Sequence, residues 1–371
     1  MRLFLLIFLL FFYNQINCQS IHFSSNDRLV LGNYKEKTAS LDIGDVDGDG
    51  DKDVIVANGR HWPGQNRIFF NNGDGIFTRS SKLGNESSTS YSTELADFDN
   101  DGDLDVAVGN DRAPNALFLN DGKGNFTRGL SFGNKNSTTR NIIVSDIDID
   151  GNKDIIITNR RKENEICIND GHGGFYKSIF FGNMNDSTID VEVIDIDNDN
   201  DMDLVLANRD EQQNYIYLND GNLNFNKKIS FGTGSDITRS ISVSDINNDG
   251  FLDIICANIG EPNLIYLGDS SMGYKKKIKF DKSFDKSYSI DCADLDLDGD
   301  IDIVVGNSNS PNSVFYNMGN GMIWTKSFLS TDNFKTYDIK ISDINNDGRP
   351  DILESNSDEK NIFYLNNLII K

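Results

Sequence analysis

Seven times, at intervals of 52, 49, 49, 50, 49 and 49 residues, the chain repeats the pattern D-x-[DN]-x-D-[GN]-x-x-D, beginning at Asp45, Asp97, Asp146, Asp195, Asp245, Asp294 and Asp343. A fixed period near 50 means one supersecondary unit copied along the chain, and the fold must be an assembly of those copies. The third copy displays the unit: "NIIVSDID", an acidic loop, then "DIIITNR", "NEICINDG" and "GGFYKSIFFG". Each apolar run is short, rich in Ile, Val or aromatics, and bounded by Gly, Asn or Asp, which is strand chemistry. The recurring "NDG" turns are hairpin signals. No run carries a helical apolar period.

Seven four-stranded units predict an all-β chain folded as a seven-bladed β-propeller of antiparallel blades. A string of separate modules would need linkers, but the chain has only five prolines and no Pro- or Gly-rich spacers. The last unit stops after its third strand, "NIFYLNNLIIK", while the N-terminal "SIHFSSNDRLVLGNY" reads like a fourth strand. Residues 20–32 are therefore expected to pair with residues 361–366, complete blade seven and close the ring, leaving no open sheet edge.

Before the repeats, Arg2 is followed by an apolar run over residues 3–12 and a polar stretch ending at Cys18. This pattern predicts a signal peptide, 1–18, and a secreted single domain, 19–371. A run of about ten apolar residues is too short to span a bilayer, which takes roughly 20; no membrane insertion is expected. The net charge of −23 argues against nucleic acid and anionic membranes as partners. Cys167, Cys256 and Cys292 lie in strand-like runs and are expected as buried thiols. Asn85, Asn125, Asn136 and Asn185 begin N-x-[ST] sequons, so the chain is a candidate glycoprotein.

The acidic loops need a counter-charge. Positions 1, 3, 5 and 9 hold 26 acids over the seven loops, more than the whole net charge. Alternate carboxylates converge when the chain turns tightly, and Gly at position 6 permits the left-handed turn. Hard oxygen donors in an adaptable turn favour Ca²⁺, and no Cys or His is present for zinc. Up to seven ions would bring the charge from −23 to −9. A helical EF-hand is excluded: position 12 is an apolar strand residue except at Glu354, which is read as paired and not as a ligand. Asn200 replaces Gly in the fourth loop, and Asn247 and Asn345 replace Asp at position 3, so the fifth and seventh sites should be weaker.

With these residues in view, "DGDLDVAVGNDRAPNALFLNDGKGNFT" resembles the FG-GAP/VCBS-type repeat, the calcium-loop propeller repeat of integrin α-subunits. The resemblance covers the mature chain seven times over. Position by position it implies Asp45, Asp47, Asp49, the Asp51 carbonyl and Asp53 as ligands in the first loop. In the second and third they are Asp97, Asp99, Asp101, Asp103 and Asp105, then Asp146, Asp148, Asp150, Asn152 and Asp154. The fourth and fifth take Asp195, Asp197, Asp199, Asp201 and Asp203, then Asp245, Asn247, Asp249, Phe251 and Asp253. The sixth and seventh take Asp294, Asp296, Asp298, Asp300 and Asp302, then Asp343, Asn345, Asp347, Arg349 and Asp351.

The resemblance does not select one function, since the family includes adhesion heads, lectins and non-catalytic parts of carbohydrate-active enzymes. With three scattered histidines and no nucleophile motif, the expected role is a non-catalytic extracellular recognition or adhesion module for a protein or glycan. The alternatives are a carbohydrate-active enzyme or its accessory propeller, since two spare carboxylates suffice for glycoside hydrolysis, and a structural matrix component. Loops between strands two and three run Asn-x4-Asn in five units but are longer in the first, "NGRHWPGQN", and in the fourth. Either binding or neutral drift accounts for that. These loops share the face opposite the acidic turns and gather Arg60, His61, Trp62, Arg112, Arg160, Arg161, Lys162 and Arg209, a basic arc expected to meet an acidic or glycan partner.

Overall fold

The structure, a computed structural model, describes residues 23–368; the expected signal peptide lies outside them. The chain is all-β, and among the described residues no helix is long and apolar enough to cross a membrane. Each repeat contributes strands in chain order, joined antiparallel to their sequence neighbours. The second strand is buried at every one of its six positions in the first six repeats, as in "DVIVAN" over Asp53–Asn58. That explains its unbroken apolar run: both faces meet neighbouring sheets, so no polar alternation is required. The fourth strands are mostly exposed, as at Arg79–Lys82 and Trp324–Phe328. Burial therefore peaks at the second strand and is least at the fourth.

Five repeats form separate four-stranded sheets. The first and the last differ from the expectation of isolated blades: their strands join into one eight-stranded sheet. The junction is short, pairing Glu36 with Glu359 and Lys37 with Ser357. It exists because the first strand of repeat one, Glu36–Gly44, and the second strand of repeat seven, Asp351–Glu359, each run to nine residues, long enough to touch. The N-terminal segment pairs where the sequence placed it: Phe23 and Ser24 face Asn366 and Leu365, and Val30 bridges Ile362.

The core is divided between repeats. One cluster joins Ile55 and Ile68 of repeat one to Val106 and Phe118 of repeat two; another joins Leu41 and Phe69 of repeat one to Leu353 and Phe363 of repeat seven, with Leu29 and Leu31 from the N-terminal segment. All seven first strands carry a bulge, one residue after the start in six of them and at Ala39 in the longer strand of repeat one. A bulge sharpens twist and re-aims a side chain. The bulged residues include Tyr91, Arg140, Arg239, Tyr288 and Tyr337, and all five line a cavity of about 120 Å³ to which all seven first strands contribute.

Candidate metal loops and the face opposite

In every acidic loop the carboxylate at position 1 folds the turn. Asp45 accepts N–H groups of Gly48 and Gly50 at 2.8 and 2.9 Å, and Asp97 accepts those of Asp101 and Gly102 at 3.2 and 3.0 Å. Asp146, Asp195, Asp245, Asp294 and Asp343 repeat the second arrangement. The carboxylate at position 5 (Asp49, Asp101, Asp150, Asp199, Asp249, Asp298 or Asp347) accepts the N–H two residues on. Position 6 is left-handed throughout, Asn200 included at φ 72°. Position 4 is left-handed too, which the pattern did not reveal, and at Ile149 and Leu297 it forces large side chains to φ 60° and 58°.

Position 9 does more than close the loop. Asp53 is fully buried; one oxygen accepts the Val46 N–H at 3.1 Å and the other the Asn71 N–H at 2.8 Å, tying the loop to the end of the third strand. Asp105, Asp154, Asp203, Asp253, Asp302 and Asp351 bind in the same way. Burial pushes Asp302 up to about 8 and Asp105 to about 7.

Position 3 carries unpartnered carboxylate oxygens. One carboxylate oxygen each of Asp47, Asp99, Asp148 and Asp197 is buried with no hydrogen-bond partner, as is one of Asp201. Burial first, then a neighbouring carboxylate, raises the pKa of all five. A buried unpartnered anion beside other anions is costly unless a cation sits among them. Donor oxygens of three acids lie within 4.8 Å of one another in five loops, including Asp45, Asp47 and Asp53, and Asp294, Asp296 and Asp302. The donor set is all oxygen, as Ca²⁺ prefers. In the fifth and seventh loops the amides of Asn247 and Asn345 instead donate to Asp249 and Asp347 at 3.0 and 3.1 Å, and Arg349 pairs with Asp347. The fifth loop thus gains a neutral donor, and only the seventh supplies a counter-charge of its own, Arg349. Three position 7 side chains meet a neighbouring repeat: Asn346, Asn100 and Asn248 donate to Asp51, Asn152 and Asp300. Cys167, Cys256 and Cys292 are free thiols, and Glu354 is buried and bonded to Asn312 and Asn356.

On the opposite face the basic arc breaks up. Arg160, Arg161 and Arg209 converge on one carboxylate, Asp210, at 2.7, 3.7 and 3.0 Å. Burial opposes ionisation of Asp210, but bonds from Arg160, Ser187 and Arg209 bring its pKa down to about 2. Arg160 and Arg209 clamp Asp210 from partly buried positions, while Arg161 stays 70 % exposed; the spacing of residues showed the cations and missed the acid that collects them. Arg112 stands apart from both groups in a left-handed turn. The first-repeat insertion folds inward. The Arg60 guanidinium lies 3.6 Å from the Tyr337 ring centroid, and His61 Nδ1 lies 2.7 Å from the Tyr91 hydroxyl. Trp62 stays 67 % exposed at the lip. Three lysines that the sequence reading passed over, Lys37, Lys286 and Lys335, join them around a hollow of about 280 Å³. Their signal was present: each directly precedes a Ser or Thr that lies two residues before the bulged strand's next Ser or Asp, at Thr38, Ser287 and Thr336 of repeats one, six and seven.

The sequence matches the FG-GAP-like repeat in six overlapping windows, 45–108, 97–157, 146–206, 195–256, 245–305 and 294–354, each holding two successive acidic loops. The chain belongs to the FG-GAP-like repeat family. No curated protein sequence matches this FG-GAP-like chain significantly. Among solved structures it is similar to BBS1N, crystallised in complex with ARL6DN, at TM-score 0.64 and 11 % identity over 92 % of this chain and 96 % of that one. It is also similar to the WD40 β-propeller domain of Doa1, at TM-score 0.59 and 15 % identity over 91 % and 96 %. At these identities the likeness speaks to fold: the FG-GAP-like repeats build a β-propeller.

Proposed function

We propose that the protein is a secreted, calcium-stabilised, non-catalytic recognition module for a protein or glycan, its seven repeats closed into a seven-bladed ring. The observation that carries this reading is the set of unpartnered position 3 carboxylates in the metal loops, with a cation- and aromatic-lined mouth at the other end of the strands. Asp47, Asp99, Asp148, Asp197 and Asp296 would each hold an ion with positions 1, 5 and 9 of their loops. The ions would supply the positive charge that lets dense acidic turns run straight into buried strands. Ring closure is supported by identical joints: Asn361 donates to Thr38 at 3.1 Å as Asn164 does to Thr188, and Asn71 donates to the Ile344 carbonyl as Asn120 does to that of Val46. A recognition role is further supported by the propeller neighbour whose title places it in a complex with another protein. The exposed sequon asparagines Asn85, Asn125, Asn136 and Asn185 suit a secretory route.

The test is a glycan and protein-partner array run with Ca²⁺ and with chelator, beside calorimetry of the same samples. Ca²⁺-dependent capture with a higher melting temperature in Ca²⁺ supports the reading. A melting temperature indifferent to chelator removes the metal role, and the absence of any capture removes the recognition role.

A further inference from the structure

The hollow on the face opposite the metal loops differs in charge from the rest of the molecule. Lys37, Arg60, Lys286 and Lys335 line it against a single acid, Asp358, in a protein of net charge −23. Asp358 is shared at 3.1 Å by Lys37 and Lys335, while Lys286 is exposed and has no ion pair among the described residues. The nearby acids are engaged elsewhere: Glu36 with Arg67, Glu359 with Lys35, and Asp285 with the Ser310 hydroxyl. The hollow therefore carries an uncompensated excess of positive charge.

Its geometry is also preset. Arg60 is held against Tyr337, and Tyr337 meets Tyr288 edge-on with centroids 4.8 Å apart. A guanidinium already fixed on an aromatic face loses little rotamer freedom when it takes up a ligand. Ser308 and Asn309 add polar groups to the wall. Trp62 presents its indole, 67 % exposed, at the rim. Cations, small polar groups and one flat apolar plate in a single hollow are the complement of a sugar ring bearing an acid group.

We propose that this hollow binds a sulfated saccharide, with a sulfate among Arg60, Lys286 and Lys335 and a sugar ring stacked on Trp62. The inference deepens the recognition role proposed above and rests on it. The anionic group could equally be offered by free sulfate or by an acidic peptide, and the indole separates these sources, because only a ring-bearing ligand gains from it.

The test is calorimetry of the full chain in Ca²⁺ with a heparin-derived hexasaccharide, its desulfated N-acetylated counterpart, inorganic sulfate and a poly-glutamate peptide. Lys286→Ala with Lys335→Ala, and separately Trp62→Ala, should each weaken the sulfated hexasaccharide by about tenfold or more. Arg112→Ala, on the same face outside the hollow, should change it less than about twofold. The four altered side chains are exposed, so unchanged melting temperatures are expected to accompany these effects. Loss of the sulfates, which leaves the uronate carboxylates in place, should weaken binding by about tenfold or more. The proposal is overturned if the desulfated sugar binds equally, if sulfate or poly-glutamate binds as tightly with Trp62→Ala without effect, if Arg112→Ala matches the lysine pair, or if the hexasaccharide does not bind. Should that last result occur while the array still captures another partner, the recognition role stands and only this site falls.

Discussion

At the third position of the acidic loop a carboxylate has two oxygens, and in repeats one to four one of them faces nothing. This gives a sign test. With Ca²⁺ bound, Asp99→Asn removes a charged ligand and should lower stability by about 1–3 kcal/mol. In chelator the same change relieves a buried anion crowded by Asp101 and Asp97, and the melting temperature should hold or rise. Calorimetry of both proteins in both buffers decides; a loss of equal size in each would leave Asp99 with no metal role. A second residue-scale prediction concerns Glu192 in the central cavity, where Glu94, Asp190, Asp291, Asp338, Arg140, Arg239 and Lys340 also line the wall. Burial, then Asp190, pushes its pKa up to about 8 against the pull of Lys340. The unfolded chain ionises near 4.5, so stability is fully present below that value, falls as pH rises and levels off above about 8. Glu192→Gln should therefore gain on the wild type by on the order of 2 kcal/mol above the folded pKa and by almost nothing near the unfolded one. Denaturant titrations at the two extremes measure it, and a gain independent of pH contradicts it. The metal loops were legible in the sequence because their chemistry is local, nine residues long and repeated. The Asp210 clamp and the lysine hollow were not, because both are built from side chains brought together across repeats.

At the scale of the element, the Asn-x4-Asn spacing was visible in the sequence but its work was not. Asn159 donates its N–H to the Asn164 side chain at 2.8 Å, and Asn164 donates onward to Thr188 of the next repeat at 3.1 Å. The pair fixes the loop and couples neighbouring sheets at once. Another asparagine, Asn71 in repeat one, ends the third strand and donates to the Lys52 carbonyl at 3.0 Å. Repeat five lacks it: Gly268 stands there, and a Cβ at that point would lie 2.3 Å from the Leu252 carbonyl oxygen. Buried Tyr274 takes over, its hydroxyl donating to that same Leu252 carbonyl at 3.2 Å. Restoring the repeat pattern with Gly268→Asn should therefore destabilise the protein, and Tyr274→Phe should cost about 0.5–1.5 kcal/mol by removing the substitute bond. Chemical denaturation of both variants checks this; a stabilising Gly268→Asn would show that the backbone of repeat five readily adopts the common geometry.

Over the whole molecule the question is whether the chain holds itself closed. Within or just after the fourth strands, Leu83, Phe132, Phe181, Phe231, Phe280 and Leu329 recur as buried plugs between neighbouring repeats. Leu31, from the N-terminal segment, takes the same place between repeats seven and one: it is 1 % exposed, as Leu83 is, and its N–H reaches the Asn361 carbonyl at 3.0 Å as that of Leu83 reaches Asn66 at 2.9 Å. Gly32 and Gly84 follow them in matching left-handed turns, φ 68° and 66°. If the N-terminal segment closes a ring, Leu31 is one plug among seven, and opening a cavity there must cost what it costs inside the chain. Leu31→Ala and Leu83→Ala should each lose about 2–4 kcal/mol in one cooperative transition, because an open ring would expose the edges of repeats one and seven together. If instead the segment merely rests on the surface, Leu31→Ala would be nearly neutral while Leu83→Ala kept its full cost. Urea denaturation of the two variants side by side, followed by tyrosine fluorescence and far-ultraviolet circular dichroism, separates these outcomes, and coincidence of the two signals in Leu31→Ala is the further sign that repeats one and seven unfold with the rest.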